Sequence, residues 1–339
     1  MELLVYTLVI LITIFIVNYF LNKNGILQSL TGDNHQLFVE KKNIPLSGGL
    51  FIFIFSLFFL DIQKELLYFS IIFFIGLMSD LKFLKSAKIR FLLQVICISF
   101  LVVKFDLSLN DLRIEYFNLL LNYKIFSFIF FIFCILIVKN GTNFIDGLNG
   151  LVIGYYTIVI VTLFNLGLLD QIENTRLVIF NYLILFISLF LFNIFNKLYL
   201  GDSGSYFVGF VFGAILILVY KEFSYFSPFF IVLLLWYPCF ENLFSIIRKY
   251  KFNLSPLRAD NKHLHHLLFY FMKKKFNLSA IFANNSASIL INLVNLIFIA
   301  AGANFIHNSL VQIILILALI IFYCLSYLVL FNFRYKKNN

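Results

Sequence analysis

Asn140, Asn143, Asp146 and Asn149 recur at every third position inside the string KNGTNFIDGLNGL at 139–151. Apolar runs flank the string on both sides, and polar groups at the lip of an apolar slab are costly unless they are bonded or bind something. Asn and Asp offer oxygen ligands and amide donors, and Gly lets backbone approach a ligand closely, so the blend suits a phosphate or a hard cation. The same residue types also make a plain turn between helices. If the second half of the string is helical, the spacing of three brings the four side chains close to one face, converging on one volume.

Three other clusters carry comparable chemistry. At 76–94, Asp80 stands where an apolar run ends and is followed by Lys82, Lys85, Lys88 and Arg90, with Arg90 and Gln94 sharing a helix face. An acid beside clustered cations can serve as a base or metal ligand next to a phosphate cradle; a basic surface loop with one ordinary Asp reads the same way. At 200–205 the string LGDSGS brackets Asp202 and Ser203 with glycines just before an apolar run. Backbone N–H groups there can face an anion while the carboxylate binds a cation, although an N-cap Asp or Ser gives part of the pattern. The connection at 248–281 is the most basic, and His263, His265 and His266 fall within four of its residues, near Arg258 and Lys262. Imidazole can hydrogen-bond a diphosphate beside those fixed charges. Zinc is the sharper rival, but no Cys is near and one helical turn does not aim three histidines at a tetrahedral centre.

The elements that must position these clusters are apolar. With 62% hydrophobic residues, 12% charged and 47 Phe, the 339-residue chain falls in the polytopic membrane class, read as one integral membrane domain over 1–339. The first run, 3–21, follows Glu2 rather than a basic segment and has no small-residue cleavage site behind it, so it reads as a retained helix. Further runs lie near 48–60, 65–78, 91–104, 125–138, 151–169, 177–196, 204–220, 226–245, 284–302 and 309–331. The expected fold is therefore all-α, with about ten to eleven transmembrane helices. Odd-numbered connections and the C-terminal tail hold 20 of the 26 Lys and Arg, which places them in the cytoplasm and the N-terminus outside. All four polar clusters then share the cytoplasmic face. The net charge of +10 suits anionic headgroups and phosphorylated substrates, with no need of nucleic acid. Cys97, Cys134, Cys239 and Cys324 lie in apolar runs without CxxC spacing, which argues against disulfides, zinc or redox chemistry.

From PLSGG at 45–49 through the four clusters in order, the chain resembles the polyprenyl-phosphate N-acetylhexosamine-1-phosphate transferases, the bacterial enzymes that start O-antigen or capsule-type glycans and their relatives. The resemblance implies a multi-pass enzyme of the bacterial inner membrane. It would move an N-acetylhexosamine-1-phosphate from a UDP-sugar to undecaprenyl phosphate at the cytoplasmic face, releasing UMP and initiating a lipid-linked cell-surface glycan. It implies magnesium, with manganese as the alternative ion, held by Asp202 as principal ligand and Asn149 as second ligand. Asn149 stands at the second acidic position of the family's Asp-Gly-x-Asp-Gly pattern. Asp146 and Asn143 would orient the nucleotide side or the metal's surroundings. His263, His265 and His266 would hold the diphosphate, with Lys82, Lys85, Arg90 and Arg258 adding substrate-binding charge. Asp80 would assist the attacking lipid phosphate. The family's usual Asp-Asp pair is broken here, because Ser79 fills the first position; Asp80 alone then supplies the acidic function and Ser79 is expected to matter little. The implied partners are a UDP-N-acetylhexosamine, undecaprenyl phosphate and membrane lipids, with a homodimer left open.

The nearest alternative is the phospho-N-acetylmuramoyl-pentapeptide transferase, whose histidines are consecutive, whereas Leu264 divides them here. A transporter is more distant, since it places ionisable groups near the bilayer midplane. Glu241, toward the end of a run, comes nearest to that.

Overall fold

Ten of the eleven apolar runs each form one helix and the eleventh, at 226–245, forms two, because backbone N–H and C=O groups in a hydrocarbon slab have only each other to bond. The computed structural model describes residues 2–28, 44–59, 63–109, 111–167, 175–253, 255 and 261–335; Arg258 lies outside them. In chain order the helices are α1 (Glu2–Asn24), α2 (Gly48–Phe59), α3 (Gln63–Asp80), α4 (Ala87–Lys104), the short α5 (Glu115–Leu121), α6 (Lys124–Ile145) and α7 (Leu151–Asn165). They continue as α8 (Thr175–Ile194), α9 (Gly201–Glu222), α10 (Pro228–Leu234), α11 (Trp236–Lys251), α12 (Leu264–Lys275), α13 (Ala280–Ala303) and α14 (Ser309–Tyr335). Among the described residues α1, α6, α8, α9, α13 and α14 are long and apolar enough to cross a membrane, and α10 with α11 makes a seventh if the bent pair is one span. The apolar parts of α2, α3 and α7 are shorter, which is why six or seven crossings pass on length and composition rather than ten or eleven.

The run expected as one span at 226–245 is broken. α10 and α11 meet at 75° across Leu235. Pro238, in the first turn of α11, has no N–H to offer the Leu234 carbonyl four residues back. Tyr155 of α7 supplies the donor instead, its hydroxyl reaching Leu234 O at 2.9 Å. The break turns α11 into a polar-faced helix that carries Glu241, Ser245, Arg248 and Lys249 inward.

α9 is the centre of the bundle, with 78% of its span buried against neighbours that include α2, α3 and α6. Small residues let these helices close up. A Cβ at Gly76 of α3 would lie 2.5 Å from Ser203 Cα, and one at Gly49 of α2 would lie 2.3 Å from Gly204 N. The PLSGG segment explains itself here: Tyr199 N–H donates to Pro45 O at 2.9 Å, while Gly48 N–H returns to Tyr199 O at 2.9 Å and Gly49 N–H to Leu200 O at 3.0 Å. These bonds clamp the strand-like approach to Asp202. At the opposite end, Arg113 donates to the carbonyls of Tyr225 (2.8 Å), Phe226 (2.9 Å) and His307 (2.9 Å), and Lys221 pairs with Asp106 at 2.5 Å. The fourth, eighth and tenth connections thus gather at one end of the molecule.

Candidate active site

The described parts of the third, fifth, seventh and ninth connections gather at the other end, around Asp202. Four side chains reach its carboxylate: Ser79 Oγ donates to Oδ2 at 2.5 Å, Asn143 Nδ2 to Oδ1 at 2.8 Å, Arg90 Nη1 to Oδ2 at 3.3 Å and Tyr206 OH to Oδ2 at 3.3 Å. Arg90 also donates to the Ser79 hydroxyl. Three of the sequence clusters therefore meet on one carboxylate.

Asp202 is not the cap of its own helix. Leu200 occupies the N-cap position of α9 and gives no side-chain bond; Asp80 reaches over from α3, its Oδ1 accepting from Asp202 N–H at 2.8 Å and its Oδ2 from Ser203 N–H at 3.0 Å. An acid across the first amides of a helix satisfies orphan donors and complements the dipole. The cap thus comes from tertiary structure, which frees the Asp202 carboxylate for other partners. Gly76 and its close approach to Ser203 are what bring α3 near enough.

The string at 139–151 behaves differently from its regular spacing. Its first half is helical, as the end of α6, and its second half is a turn that ends on Gly150 at φ +72°. Asn143 therefore points to Asp202, and Asp146, just past the helix end, sits where the charges of Asp202 and Asp80 reach it. Burial first, then those two carboxylates, hold the Asp146 carboxyl well above the usual carboxylate range. Asn149 turns away into an asparagine cluster. Its N–H donates to Asn284 Oδ1 at 2.8 Å and its Nδ2 to Asn196 Oδ1 at 2.7 Å, while Asn193 and Asn292 bond Gly150. Convergence of all four spaced side chains on one volume is thus corrected: the glycine turn rotates the last one to the opposite side.

The histidines arrive from the far side of the same turn. A Cβ at Gly147 would lie 2.7 Å from Nε2 of both His265 and His266, so only glycine lets the turn rest against them. The ring centroids of His265 and His266 are 4.1 Å apart, that of His263 lies 5.5 Å from that of His265, and the Phe144 ring packs at a tilt 5.4 Å from that of His263. Of the cations after Asp80, Arg90 contacts Asp202, whereas Lys82 and Lys85 are exposed on the α3–α4 turn.

Sequence reasoning missed several neighbours. Lys139 is 1% exposed, with its Nζ 3.6 Å from the Tyr206 ring centre and 2.9 Å from Asn140 Oδ1. Glu241 is fully buried against His263. Both are charges within apolar runs, a signal that by itself marks a functional candidate. Tyr206 and Tyr323 carried no such signal.

The donor set suits a hard cation more than a soft one. Among the described residues no three His, Cys, Asp or Glu side chains are grouped to hold a metal by themselves. Three carboxylates, Asp80, Asp146 and Asp202, nevertheless share one electrostatic field. Few protein oxygens in a negative field match an ion such as magnesium, which takes the rest of its shell from water and phosphate.

Comparison with known proteins points the same way. Residues 64–220, the stretch from α3 to α9 that holds Asp80, Asn143, Asp146 and Asp202, match the family described as Glycosyl transferase family 4. A Bacillus subtilis (strain 168) protein named "Probable undecaprenyl-phosphate N-acetylglucosaminyl 1-phosphate transferase" is 29% identical over 208 residues, covering 59% of this chain and 56% of the relative. The "Decaprenyl-phosphate N-acetylglucosaminephosphotransferase" of Mycolicibacterium smegmatis is 29% identical over 153 residues, covering 39% of this chain and 37% of its own. The chain thus spans about half or less of these relatives' lengths. The matches support the likeness to polyprenyl-phosphate N-acetylglucosamine-1-phosphate transferases that the motifs carry.

Proposed function

We propose that this protein transfers N-acetylglucosamine-1-phosphate from a UDP-sugar to undecaprenyl phosphate at the cytoplasmic side of the bacterial inner membrane, releasing UMP and starting a lipid-linked glycan. The observation that carries the reading is the meeting of Ser79, Arg90, Asn143 and Tyr206 on the Asp202 carboxylate, beside Asp146 and the histidines.

The chemistry joins two anionic phosphates, so charge is the obstacle. Asp202 would hold magnesium without Asn149, which is bonded to Asn196 and Asn284 on the other side of the turn. When bound, the ion offsets phosphate repulsion and the charge growing on the departing UMP. Asn143, Ser79 and Tyr206 fix the rotamer of Asp202 so that its carboxylate needs no reorganisation during the reaction. Arg90 adds positive charge on the same side, and the three imidazoles would hydrogen-bond the donor's diphosphate. The lipid phosphate is largely ionised at neutral pH, its second pKa being about 6. Asp80, committed to two amides of α9, therefore positions the site rather than removing a proton.

The test is to offer purified protein a panel of UDP-sugars with undecaprenyl phosphate and magnesium and to measure UMP. Release with UDP-N-acetylglucosamine is expected, silenced by EDTA. Asp202→Asn should accumulate in the membrane, since Asp80 and not Asp202 caps α9, yet release no UMP. Parent activity without any divalent ion, or an Asn variant that turns over like the parent, would overturn the mechanism.

A further inference from the structure

α13 carries a row of polar side chains along an otherwise apolar helix that is long enough to cross a membrane. Asn284 and Asn292, eight residues and so about two turns apart, are 1% and 8% exposed, with Ser288 buried between them. Side-chain amides are costly to bury in such a helix unless they are bonded. The helix lies beyond residue 220, where the family match ends, and none of the four polar clusters of the sequence includes these asparagines.

Both turn to the backbone behind Asp146. Asn284 Oδ1 accepts from Asn149 N–H at 2.8 Å, and Asn292 Nδ2 donates to Gly150 O at 3.0 Å. Asn193, near the end of α8, closes a third side: its Oδ1 accepts from Gly150 N–H while its Nδ2 donates to Leu198 O at 2.8 Å. A backbone N–H only donates and a carbonyl only accepts, so these partners fix which way round each amide sits. Leu198 leads into the segment clamped to Gly48 and Gly49, and so to Asp202. Asn193 therefore ties the turn that carries Asp146 to the approach that carries Asp202.

The Asn149 side chain completes the arrangement. Its Nδ2 donates to Asn196 Oδ1 at 2.7 Å and to Asn285 Oδ1 at 3.4 Å, and Asn285 gives its own Nδ2 to Ile194 O at 3.1 Å. An ionised carboxylate at 149 would have no hydrogen for Asn285 Oδ1, so these surroundings suit Asn at a position where the family pattern has Asp.

We propose that Asn284, Asn292 and Asn193 are positioning residues that seat the Asp146–Gly150 turn from behind, holding Asp146 beside Asp202 and the Gly147 backbone against the histidines. Glycine loses more freedom on ordering than any other residue, so a turn with two of them keeps one shape only where bonds from outside fix it. The imidazoles of His265 and His266 bound the turn on one side, at Gly147. The asparagines bound it on the other. The proposal rests on the transferase reading for what the turn serves, but not for what holds the turn.

The experiment follows amide hydrogen exchange in the full chain in detergent, resolved to single amides by mass spectrometry, beside kcat and KM for UMP release. In the parent, the Asn149 and Gly150 amides should exchange slowly. Asn284→Leu, close in size but without an acceptor, should speed exchange at Asn149 by roughly 5- to 150-fold, the range for a buried N–H left unpaired. It should lower kcat by roughly tenfold, with KM for the UDP-sugar changed less, since the altered side chain lies behind the turn. Asn284→Asp keeps an oxygen for that N–H whether or not it is protonated, and should recover most of both losses. Parent amides at 149 and 150 that exchange as fast as exposed loop amides sink the proposal even if neither variant accumulates. So does acceleration spread evenly over α6 and α13, which marks general loosening, and so does parent-like kcat in Asn284→Leu. Should exchange match expectation while the parent turns over no UDP-sugar, the seat stands and the transferase reading falls instead.

Discussion

Ser79 shows how much a single hydroxyl can carry. By its place in a broken Asp-Asp pair it looks like a loss of function; in the fold its Oγ donates to Asp202 at 2.5 Å and accepts from Arg90. A hydrogen bond to a charged group contributes about 1.5–3 kcal/mol, and partial exposure of Asp202 brings this toward the lower end. Ser79→Ala should therefore cost roughly tenfold in kcat/KM at unchanged membrane levels, rather than leave turnover intact; parent-like kinetics would show that Asn143 and Tyr206 orient Asp202 unaided. Asp146 gives a pH test. Its carboxyl is raised in the fold by burial and by Asp202 and Asp80, so the folded state binds this proton more tightly than the unfolded chain does. Stability from this group is full at acid pH and falls as pH climbs from the ordinary carboxylate range through the raised value. Protein in detergent without divalent ions should thus become easier to unfold by heat as pH climbs above the ordinary Asp value of about 4, and Asp146→Asn should flatten that slope. Parallel curves for the two proteins would contradict the assignment.

At the scale of elements, the site depends on how closely α3 meets α9. Asp80 caps α9 and Ser79 reaches Asp202 only because Gly76 leaves no side chain between the helices. A methyl there would meet Ser203 Cα at 2.5 Å and Asp202 O at 2.6 Å, both backbone atoms that have no rotamer to yield. Gly76→Ala should cost about 1–3 kcal/mol of stability through overpacking, seen as a lower unfolding temperature, and should reduce turnover in the same step. Unchanged melting and turnover would mean that α3 is free to slide. The break between α10 and α11 works by the opposite device, a missing N–H at Pro238 made good by Tyr155. Pro238 was visible in the sequence, but the donor that makes the bend tolerable comes from a helix some eighty residues earlier.

Over the whole molecule, the two ends of the bundle collect different connections: Arg113, Lys221 and Asp106 tie the fourth, eighth and tenth, and Asp80, Asn143, Asp146, Asp202 and the histidines bring the third, fifth, seventh and ninth together. Reporters active only outside the cytoplasm should then be silent when fused after Asn277 and active after Gly167 and after Asn308; the reverse pattern would move the site to the outer face. The helical class, the order of the apolar runs and the four polar clusters were all legible in the chain, because hydrophobic runs dictate helix wherever backbone has no water to bond, and charged or amide side chains at their edges stand out. The partners of those side chains were not. Whether Asp202 caps its own helix, whether Asn149 faces Asp202 or Asn196, and whether Glu241 meets lipid, substrate or His263 all depend on which helices lie side by side. That is settled by close packing between residues 22, 47 and 122 positions apart in the chain, through glycine contacts and turns whose direction local periodicity does not encode. Sequence determined which groups stand ready at the membrane edge; tertiary structure decided which of them share a charge, a proton or a bond, since those energies fall off within a few ångströms.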